Sequence, residues 1–342
     1  MTSSAPKESV LSLQELPSGR SEVWCLRGYI AFHCLFGLSE VGFFDDLAAR
    51  GTLDLNAYAT EKQLNYDALD AVARYLYGLG ILDRVGRGEY RQGVSILEQD
   101  LATVEMFYAY DPLFHDLTSV LRQEKVYGKD IHRFPGLDAR ATAKICRSFS
   151  YPRIIELIEK KGALNVLDLG CGSAEILIQL CKRNPGAKGY GIDIEPDAVK
   201  CAQKRIDEEG LADRIRIATG DILNLDQSAL LNSLAVDEVD LVLSAAVFHE
   251  FAFDGVRNLI AALEGVKRKF NGVELMLSEA LEQSDDSLRE NPSFVLEHHL
   301  FHRLSLQGIA SLDLWRSAFG KAGYQIEEES SLGPGGVIFV IK

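Results

Sequence analysis

The sequence is short of positive charge. Its 342 residues include 36 Lys and Arg against 50 Asp and Glu, which gives a formal net charge of −14. A protein that binds a phosphate backbone needs a basic surface, so we expect no nucleic acid partner. The hydrophobic fraction of 47% is too high for a disordered chain, and the length suggests about two domains.

Long hydrophobic runs and export signals are also missing. The most apolar stretch, residues 28–44, contains His33, Ser39 and Glu40 and falls short of the roughly 20 apolar residues of a spanning helix. Residues 1–15 contain no apolar run that ends in a cleavage site. The six scattered cysteines include no CxxC pair, which is typical of reduced, buried thiols. These absences predict no membrane partner and a cytoplasmic location.

Helical periodicity dominates the chain before residue 160. Leu69, Val72, Leu76 and Leu79 recur at three- and four-residue steps, which places them on one face of a helix. The following residues, 81–90, have the alternation and the glycines of a short β-hairpin. Helices followed by such a hairpin predict a winged helix within an N-terminal helical domain, residues 1–150.

The charge balance of this winged helix argues against DNA binding. Between Glu61 and Arg91, five basic residues accompany five acidic ones, so the module lacks a basic surface. The apolar segments 30–32 and 35–38 instead favour a subunit interface. We therefore expect a homodimer formed through the N-terminal domain.

Strands and helices alternate in the second domain, residues 151–342. This order predicts a doubly wound α/β sheet whose last two strands form an antiparallel pair at the edge. The predicted strands are residues 164–169, 189–193, 215–218, 239–243, 273–277, 324–327 and 337–341.

A glycine loop, Asp168-Leu-Gly-Cys-Gly-Ser173, follows the first of these strands. Its two glycines, Gly170 and Gly172, let a ligand approach the backbone closely. The dinucleotide fingerprint, counted from Gly170, has Gly or Ala at its sixth position, where this chain has Glu175. Because a carboxylate there disfavours a pyrophosphate, NAD is not the expected cofactor.

Acidic residues follow the next two strands. Asp193 can accept hydrogen bonds from a ribose, and Asp221 can hold an adenine amino group. Together with the loop, they resemble class I S-adenosylmethionine-dependent methyltransferases. The resemblance implies a Rossmann-like, seven-stranded domain that binds S-adenosylmethionine. The cofactor-binding residues it implies are Asp168, Gly170, Gly172, Asp193, Asp221, Ile222 and Ser244.

The fourth strand runs into Ser244-Ala-Ala-Val-Phe-His-Glu-Phe251. A His followed by an acid at this point resembles the small-molecule O-methyltransferases, in which the His is the general base. The N-terminal helical and winged-helix region is similar to the dimerisation domain of that group. The resemblance implies that Glu279, after the fifth strand, orients His249.

Three more histidines, His298, His299 and His302, lie close together in the sequence. Imidazole is the usual protein ligand of zinc, iron and copper. If the segment is helical, His302 shares a face with either His298 or His299, and the sequence leaves open which of them binds a metal.

The chain resembles the 2-oxo-acid C-methyltransferases of the phenylpyruvate and 2-ketoarginine type. Three segments carry this resemblance: residues 127–133, His249-Glu250 and residues 301–305. The resemblance implies that His249 and His302 bind iron or zinc, with His299 as the substitute. Glu250 then orients a ligand or accepts a proton, and Arg133 pairs with the substrate carboxylate.

Three functions remain open from the sequence. The first is methylation of the β-carbon of a 2-oxo acid through a metal-stabilised enolate. The second is metal-independent O-methylation with His249 as the general base. The third, a DNA-binding regulator, is disfavoured by the charge balance. An aromatic substrate would suit Phe107, Tyr108 and Tyr110, whereas a guanidino tail would suit Glu105 and Asp111, and the sequence does not choose between them.

Overall fold

The computed structural model describes residues 22–253, 256–290, 294–333 and 335–342. Residues 1–15, which the sequence predicts to lack a signal peptide, lie outside these ranges. The chain divides into two compact units between Tyr108 and Ala109. The predicted domain boundary at residue 150 and the cytoplasmic location stay predictions.

The first unit contains helices and one small sheet. Asn65 caps the predicted helix by accepting a hydrogen bond from the Ala68 N–H, and Leu69 and Leu76 on its inner face are buried. The predicted hairpin forms, and a short additional strand pairs with it in the order β1-β3-β2. The elements are α1 (Glu22–Glu40), α2 (Phe43–Arg50), β1 (Leu53–Asp54), α3 (Leu55–Lys62), α4 (Tyr66–Gly78), β2 (Leu82–Gly86), β3 (Glu89–Gln92) and α5 (Glu98–Ala109).

The second unit is an α/β layered domain. Its helices up to the glycine loop are α6 (Asp111–His115), α7 (Leu117–Leu121), α8 (Pro135–Ser148) and α9 (Tyr151–Lys161). Then follow β4 (Asn165–Leu169), α10 (Glu175–Arg183), β5 (Lys188–Asp193), α11 (Pro196–Glu208), β6 (Ile215–Thr219), α12 (Ala229–Asn232) and β7 (Leu241–Ala245). The remaining elements are α13 (Arg257–Lys269), β8 (Glu274–Ala280), α14 (Asp285–Glu290), α15 (Phe294–Leu304), α16 (Leu312–Lys321), β9 (Ile326–Ser331) and β10 (Gly336–Ile341).

The seven strands form one sheet in the order β6-β5-β4-β7-β8-β10-β9. The first five are parallel, whereas β10 runs antiparallel between β8 and the edge strand β9. The α/β fold and its antiparallel edge pair are therefore confirmed. Because the parallel strands end at the same edge, the segments after β4, β5, β6 and β7 gather there, and this is where such sheets bind ligands.

Strand β8 is longer than the sequence predicts. The prediction ended it at residue 277 with Glu279 beyond it, but pairing of Glu279 with Val337 of β10 extends it to Ala280. Glu279 is thus fixed inside a strand and is buried.

All six cysteines are free. The expectation that all are buried is wrong for Cys25 and Cys201, which are exposed. In the described part of the chain, no helix combines the length and apolar character needed to cross a membrane.

Candidate active site

The glycine loop has an unusual backbone. Gly170 and Gly172 have φ angles of +81° and +50°, and Ala174 has a φ of +55° despite its side chain. A Cβ on Gly170 would lie 2.5 Å from the Val247 side chain, whereas one on Gly172 would meet nothing within 4 Å. Gly170 is therefore required by packing inside the protein, and open space lies beside Gly172.

Two polar atoms around the loop are left for a ligand. Asp168 Oδ1 and Ser173 Oγ are buried and have no hydrogen-bond partner among the described residues. Burial, together with the nearby charge of Asp193, raises the pKa of Asp168 to about 8. Unpartnered buried polar groups are costly, so their presence beside open space fits a polar cofactor.

Asp193 and Asp221 lie where the sequence places them, at the ends of neighbouring strands. Asp193 Oδ2 accepts a hydrogen bond from the Gly172 N–H at 2.8 Å, which ties the loop to β5. Asp221 Oδ1 accepts from the Leu223 N–H at 2.9 Å and so caps the 3-10 helix Ile222–Gln227. Carboxylates accept several hydrogen bonds each, so the predicted nucleoside contacts are compatible with these bonds and stay predictions.

The side chains of Ile222 and Ser244 are less accessible to a ligand than those of Asp193 and Asp221. Ile222 is buried in the hydrophobic core, and Ser244 is fully buried and donates its hydroxyl to Leu169 O at 2.6 Å. Ser244 thus supports the end of β4, and a direct cofactor contact from either side chain stays a prediction.

Glu175 is not the free charge that the sequence argument assumed. It accepts hydrogen bonds from Arg147, Arg205 and Gln179. Burial alone would raise its pKa, but these hydrogen bonds and the two guanidinium charges lower it. Because its charge is compensated inside the protein, Glu175 gives no ground for excluding a pyrophosphate.

His249 follows β7 after a sharp change of direction. Ala246 has a φ of +59°, and the 3-10 helix Phe248–Ala252 begins two residues later. Glu279 holds this segment: its Oε1 accepts from the Phe248 N–H at 2.8 Å, and its Oε2 is 2.7 Å from His249 Nδ1. A carboxylate only accepts, so we assign the Nδ1 proton to His249. Glu279 is thus placed against His249 as an orienting carboxylate would be, and its role in the reaction stays a prediction.

The second histidine of the site is His302 on α15. Its Nε2 lies 3.2 Å from His249 Nε2, and both side chains are buried. Its Nδ1 lies 2.8 Å from the His298 carbonyl, which can only accept, so Nδ1 carries the proton here too. With both Nδ1 protons so assigned, the two Nε2 lone pairs face each other unless a proton or a cation lies between them.

The two rings differ in basicity. Burial alone would lower the pKa of His249, but the hydrogen bond and charge of Glu279 raise it. Burial lowers the pKa of His302 well below its usual range, with a further contribution from the neighbouring histidines. In the protein alone, His249 is thus the better proton carrier and His302 the acceptor.

The other two histidines of α15 do not meet His249 in this way. His299 Nε2 accepts from the Gln283 N–H at 3.0 Å, and its Nδ1 donates to Val295 O at 2.8 Å. His298 packs against the His302 ring, with centroids 3.9 Å apart. Both His299 nitrogens are thus occupied, and His302 is the one paired with His249. In the described ranges, no three His, Cys, Asp or Glu side chains gather into a metal-binding group.

Arg133 belongs to a half-buried polar network beside the histidines. Its Nη1 donates to Glu250 Oε1 at 3.2 Å and to the Tyr110 hydroxyl at 2.9 Å, and its Nε lies 3.3 Å from Asp138 Oδ2. Gln307 Nε2 donates to the same Glu250 oxygen at 2.7 Å. Burial raises the pKa of Asp138 to about 6, although the Arg133 charge opposes this.

Sequence reasoning missed Asp138 and Gln307. Both lie just beyond the segments 127–133 and 301–305 that the sequence singles out, and neither belongs to a recognisable motif. Gln307 accepts a hydrogen bond from the Tyr110 hydroxyl across 197 residues of chain. Of the residues considered for the substrate, Tyr110 lies in this network and stacks on Phe301 at 4.2 Å.

Comparison with known proteins identifies the domain. Residues 160–318 match the methyltransferase domain family. The chain is an S-adenosylmethionine-dependent methyltransferase. It is 24% identical to the methyltransferase ungE' of Aspergillus campestris over 84% of this chain and 85% of that protein. It is 26% identical to an L-tyrosine C(3)-methyltransferase of Streptomyces lavendulae over 58% of this chain and 60% of that protein.

The methyltransferase also has close structural neighbours. Human N-acetylserotonin methyltransferase, solved in complex with S-adenosylmethionine, matches with a TM-score of 0.68 at 18% identity. The match covers 95% of this chain and 99% of that one. The fold, including the N-terminal helical region, is thus that of the class I O-methyltransferase-like proteins.

Proposed function

We propose that this methyltransferase transfers a methyl group to the β-carbon of a 2-oxo acid, with iron or zinc at His249 and His302. The observation that carries the proposal is the pair of facing Nε2 atoms, 3.2 Å apart. Two imidazoles on one tetrahedral zinc ion, each about 2.0–2.1 Å from it, have nitrogens about 3.3 Å apart. The pair therefore has the spacing of two ligands of one metal ion.

The hydrogen bonds behind the two rings support the same assignment. A metal-ligating His typically donates its other N–H to a carboxylate or a backbone carbonyl, which fixes the tautomer. Glu279 does this for His249, and the His298 carbonyl does it for His302. Both Nε2 lone pairs are thereby left free to bind a metal ion.

Charge balance favours a cation at this point. Arg133 lies between Glu250 and Asp138, so a single positive charge faces two carboxylates. Glu279 accompanies His249 in the same region. A 2-oxo acid adds a further negative charge, and a divalent cation compensates it, whereas a neutral phenol would need none.

The metal supplies a Lewis acid for the substrate's oxygens. The residues of the chain orient the acid and receive its proton. Arg133 offers its guanidinium to the carboxylate. Glu250 Oε1 is occupied by Gln307 and Arg133, and its Oε2 accepts the proton that leaves C3. The electron pair of that C–H bond then forms the new C3–methyl bond, while the methyl–sulfur bond breaks and its pair stays on sulfur.

A methyl-transfer assay tests the proposal. Phenylpyruvate, 2-ketoarginine, branched-chain oxo acids and catechols are offered to protein treated with a chelator, before and after iron or zinc is restored. We expect methylated oxo acids only in the metal-restored samples. Full activity of the chelated protein on any of these acceptors would overturn the metal, and methylation of catechols alone would overturn the substrate class.

O-methylation with His249 as general base is the second candidate. The His249–Glu279 pair favours it, because Glu279 both orients the ring and raises its pKa. This reaction needs no metal and no second histidine. It therefore predicts that replacement of His302 leaves substantial turnover, whereas C-methylation predicts its collapse.

We also propose that the methyltransferase is a homodimer that associates through its N-terminal unit. Helix α1 exposes large apolar side chains: Leu26 is 58% exposed, Tyr29 62% and Ile30 37%. An exposed apolar face of this kind is typical of a subunit interface.

A further inference from the structure

The loop that follows β4 contains one strained residue with a side chain. Ala174 has the left-handed conformation, with φ +55° and ψ +24°, and is completely buried. For a residue with a Cβ, this conformation is unfavourable by about a 5- to 30-fold factor in an equilibrium constant. Such strain persists only where the surrounding structure holds it.

One guanidinium holds both neighbours of Ala174. Arg205, on α11, donates from Nη1 to the Ser173 carbonyl at 3.1 Å and from Nη2 to the Glu175 carboxylate. Arg147 adds two hydrogen bonds of 3.2 Å to Glu175 from α8. Glu175 is only 6% exposed, so this contact is shielded from water.

The other end of the loop is tied to β5. The Gly170 and Cys171 N–H groups donate to Ile192 O at 2.8 and 3.0 Å, and Gly172 donates to Asp193. Between these bonds and Arg205 lies Ser173, whose buried hydroxyl has no partner among the described residues. The position of that hydroxyl thus depends on what holds the Ser173 backbone.

We propose that Arg205 is a positioning residue for S-adenosylmethionine: it holds residues 173 and 175 so that Ala174 keeps its left-handed conformation and Ser173 Oγ faces the cofactor. Arg205 reaches the cofactor site only through the loop. A planar guanidinium suits this task because it donates two hydrogen bonds in fixed directions, which the single ammonium of Lys does not.

The test measures binding of S-adenosylhomocysteine to the full chain by calorimetry, so it needs no methyl acceptor. We expect Arg205→Met to weaken binding by about tenfold and Arg205→Lys by less. Arg183→Met is the matched control, because Arg183, at the end of α10, forms an Arg–Glu pair with Glu159 of α9 and makes no hydrogen bond to the loop among the described residues. The control should bind as the wild type does.

A second background tests the role of strain. Glycine adopts the left-handed conformation without the Cβ penalty, so Ala174→Gly should reduce the loss caused by Arg205→Met. An effect of Arg205 on stability alone would lower the melting temperature and leave affinity within twofold of the wild type. That result, for either Arg205 variant that folds, would overturn the proposal. If Arg205→Met lowers the affinity for S-adenosylhomocysteine equally with Ala174 and with Gly at position 174, the link to Ala174 would be overturned.

Discussion

His249 Nε2 and His302 Nε2 lie 3.2 Å apart, although 53 residues of chain separate the two histidines. One ring follows β7 and the other is on α15, and each is fixed from behind by an oxygen acceptor at its Nδ1. Two such lone pairs repel unless a proton or a cation lies between them. One proton shared between the two nitrogens removes this repulsion in the protein alone, and a bound metal ion removes it in the proposed function.

Replacing His302 separates the two candidate functions. We expect His302→Ala to lose bound metal and at least about 100-fold in turnover, since even residues behind a ligand contribute 10–100-fold. His299→Ala is the control on the same helix, because His299 is bonded to Gln283 and Val295 rather than to His249. Metal content by elemental analysis and initial rates decide the matter. Retained turnover in a metal-free His302→Ala protein would instead support O-methylation.

Glu279 is expected to act through His249. In Glu279→Gln, the amide oxygen can still accept from the Phe248 N–H, but the amide NH2 then faces the Nδ1–H of His249, donor against donor. The ring would change its tautomer or turn, so we expect a loss of about 10–100-fold in metal affinity with the fold intact. Metal titration measures the affinity, and circular dichroism checks that the fold is intact. An unchanged affinity would contradict the orienting role.

Much of the fold could be predicted from the sequence because its signals are local. The apolar run of β4, the glycines after it and the acid after β5 are each read within a few residues. The length of β8 could not be predicted from its local sequence, because it depends on pairing with β10, which starts after residue 335. That pairing is why Glu279 lies inside a strand rather than after it.

The site was predictable only where residue types are rare. His249 and His302 stand out by chemistry, and the resemblance already favoured His302 over His299, but only the placement of α15 shows which ring faces His249. Gln307 and Asp138 carry no such signal, because amides and carboxylates are common in loops and helices. Their roles arise from contacts over long sequence separations, such as Gln307 with Glu250.

The proposed dimer predicts a change of mass on substitution within α1. Tyr29→Glu places a charge at an aromatic position of that helix that is 62% exposed, and burying the charge in an interface would be costly. We expect this variant to be monomeric by light scattering while the wild type is dimeric. Val236→Glu, which adds the same charge at an exposed position of the second unit, should leave the mass unchanged. A dimeric Tyr29→Glu protein would argue against this interface.

Replacing Gly170 and Gly172 by Ala should affect different properties, stability in the first case and cofactor affinity in the second. In Gly170→Ala the new Cβ overlaps Val247 and the φ of +81° is strained, so we expect a loss of about 2 kcal/mol or more in the free energy of unfolding. In Gly172→Ala nothing obstructs the methyl group, and the strain alone is about 1–2 kcal/mol. Its methyl group occupies the space left for the cofactor, so affinity for S-adenosylhomocysteine should fall more than stability does. Denaturant unfolding and calorimetry separate the two effects, and equal behaviour of both variants would contradict the assignment of that space.

Asp168 should make the cofactor-free protein less stable as pH rises. Its pKa of about 8 in the folded state is above the ordinary value of 3.8, because burial and the Asp193 charge disfavour the ionised carboxyl. Between these two values the folded state keeps a proton that the unfolded state has lost. The contribution to stability is therefore full below about pH 4 and is lost as the pH rises through about 8, with a slope of at most about 1.4 kcal/mol per pH unit. Asp168→Asn removes this titration, whereas Asp237→Asn, at an exposed position, should retain it. Urea unfolding at pH 5, 6, 7 and 8 checks the prediction: the stability of Asp168→Asn relative to the wild type should rise steadily with pH, and a constant difference would show that Asp168 is ionised in the folded protein.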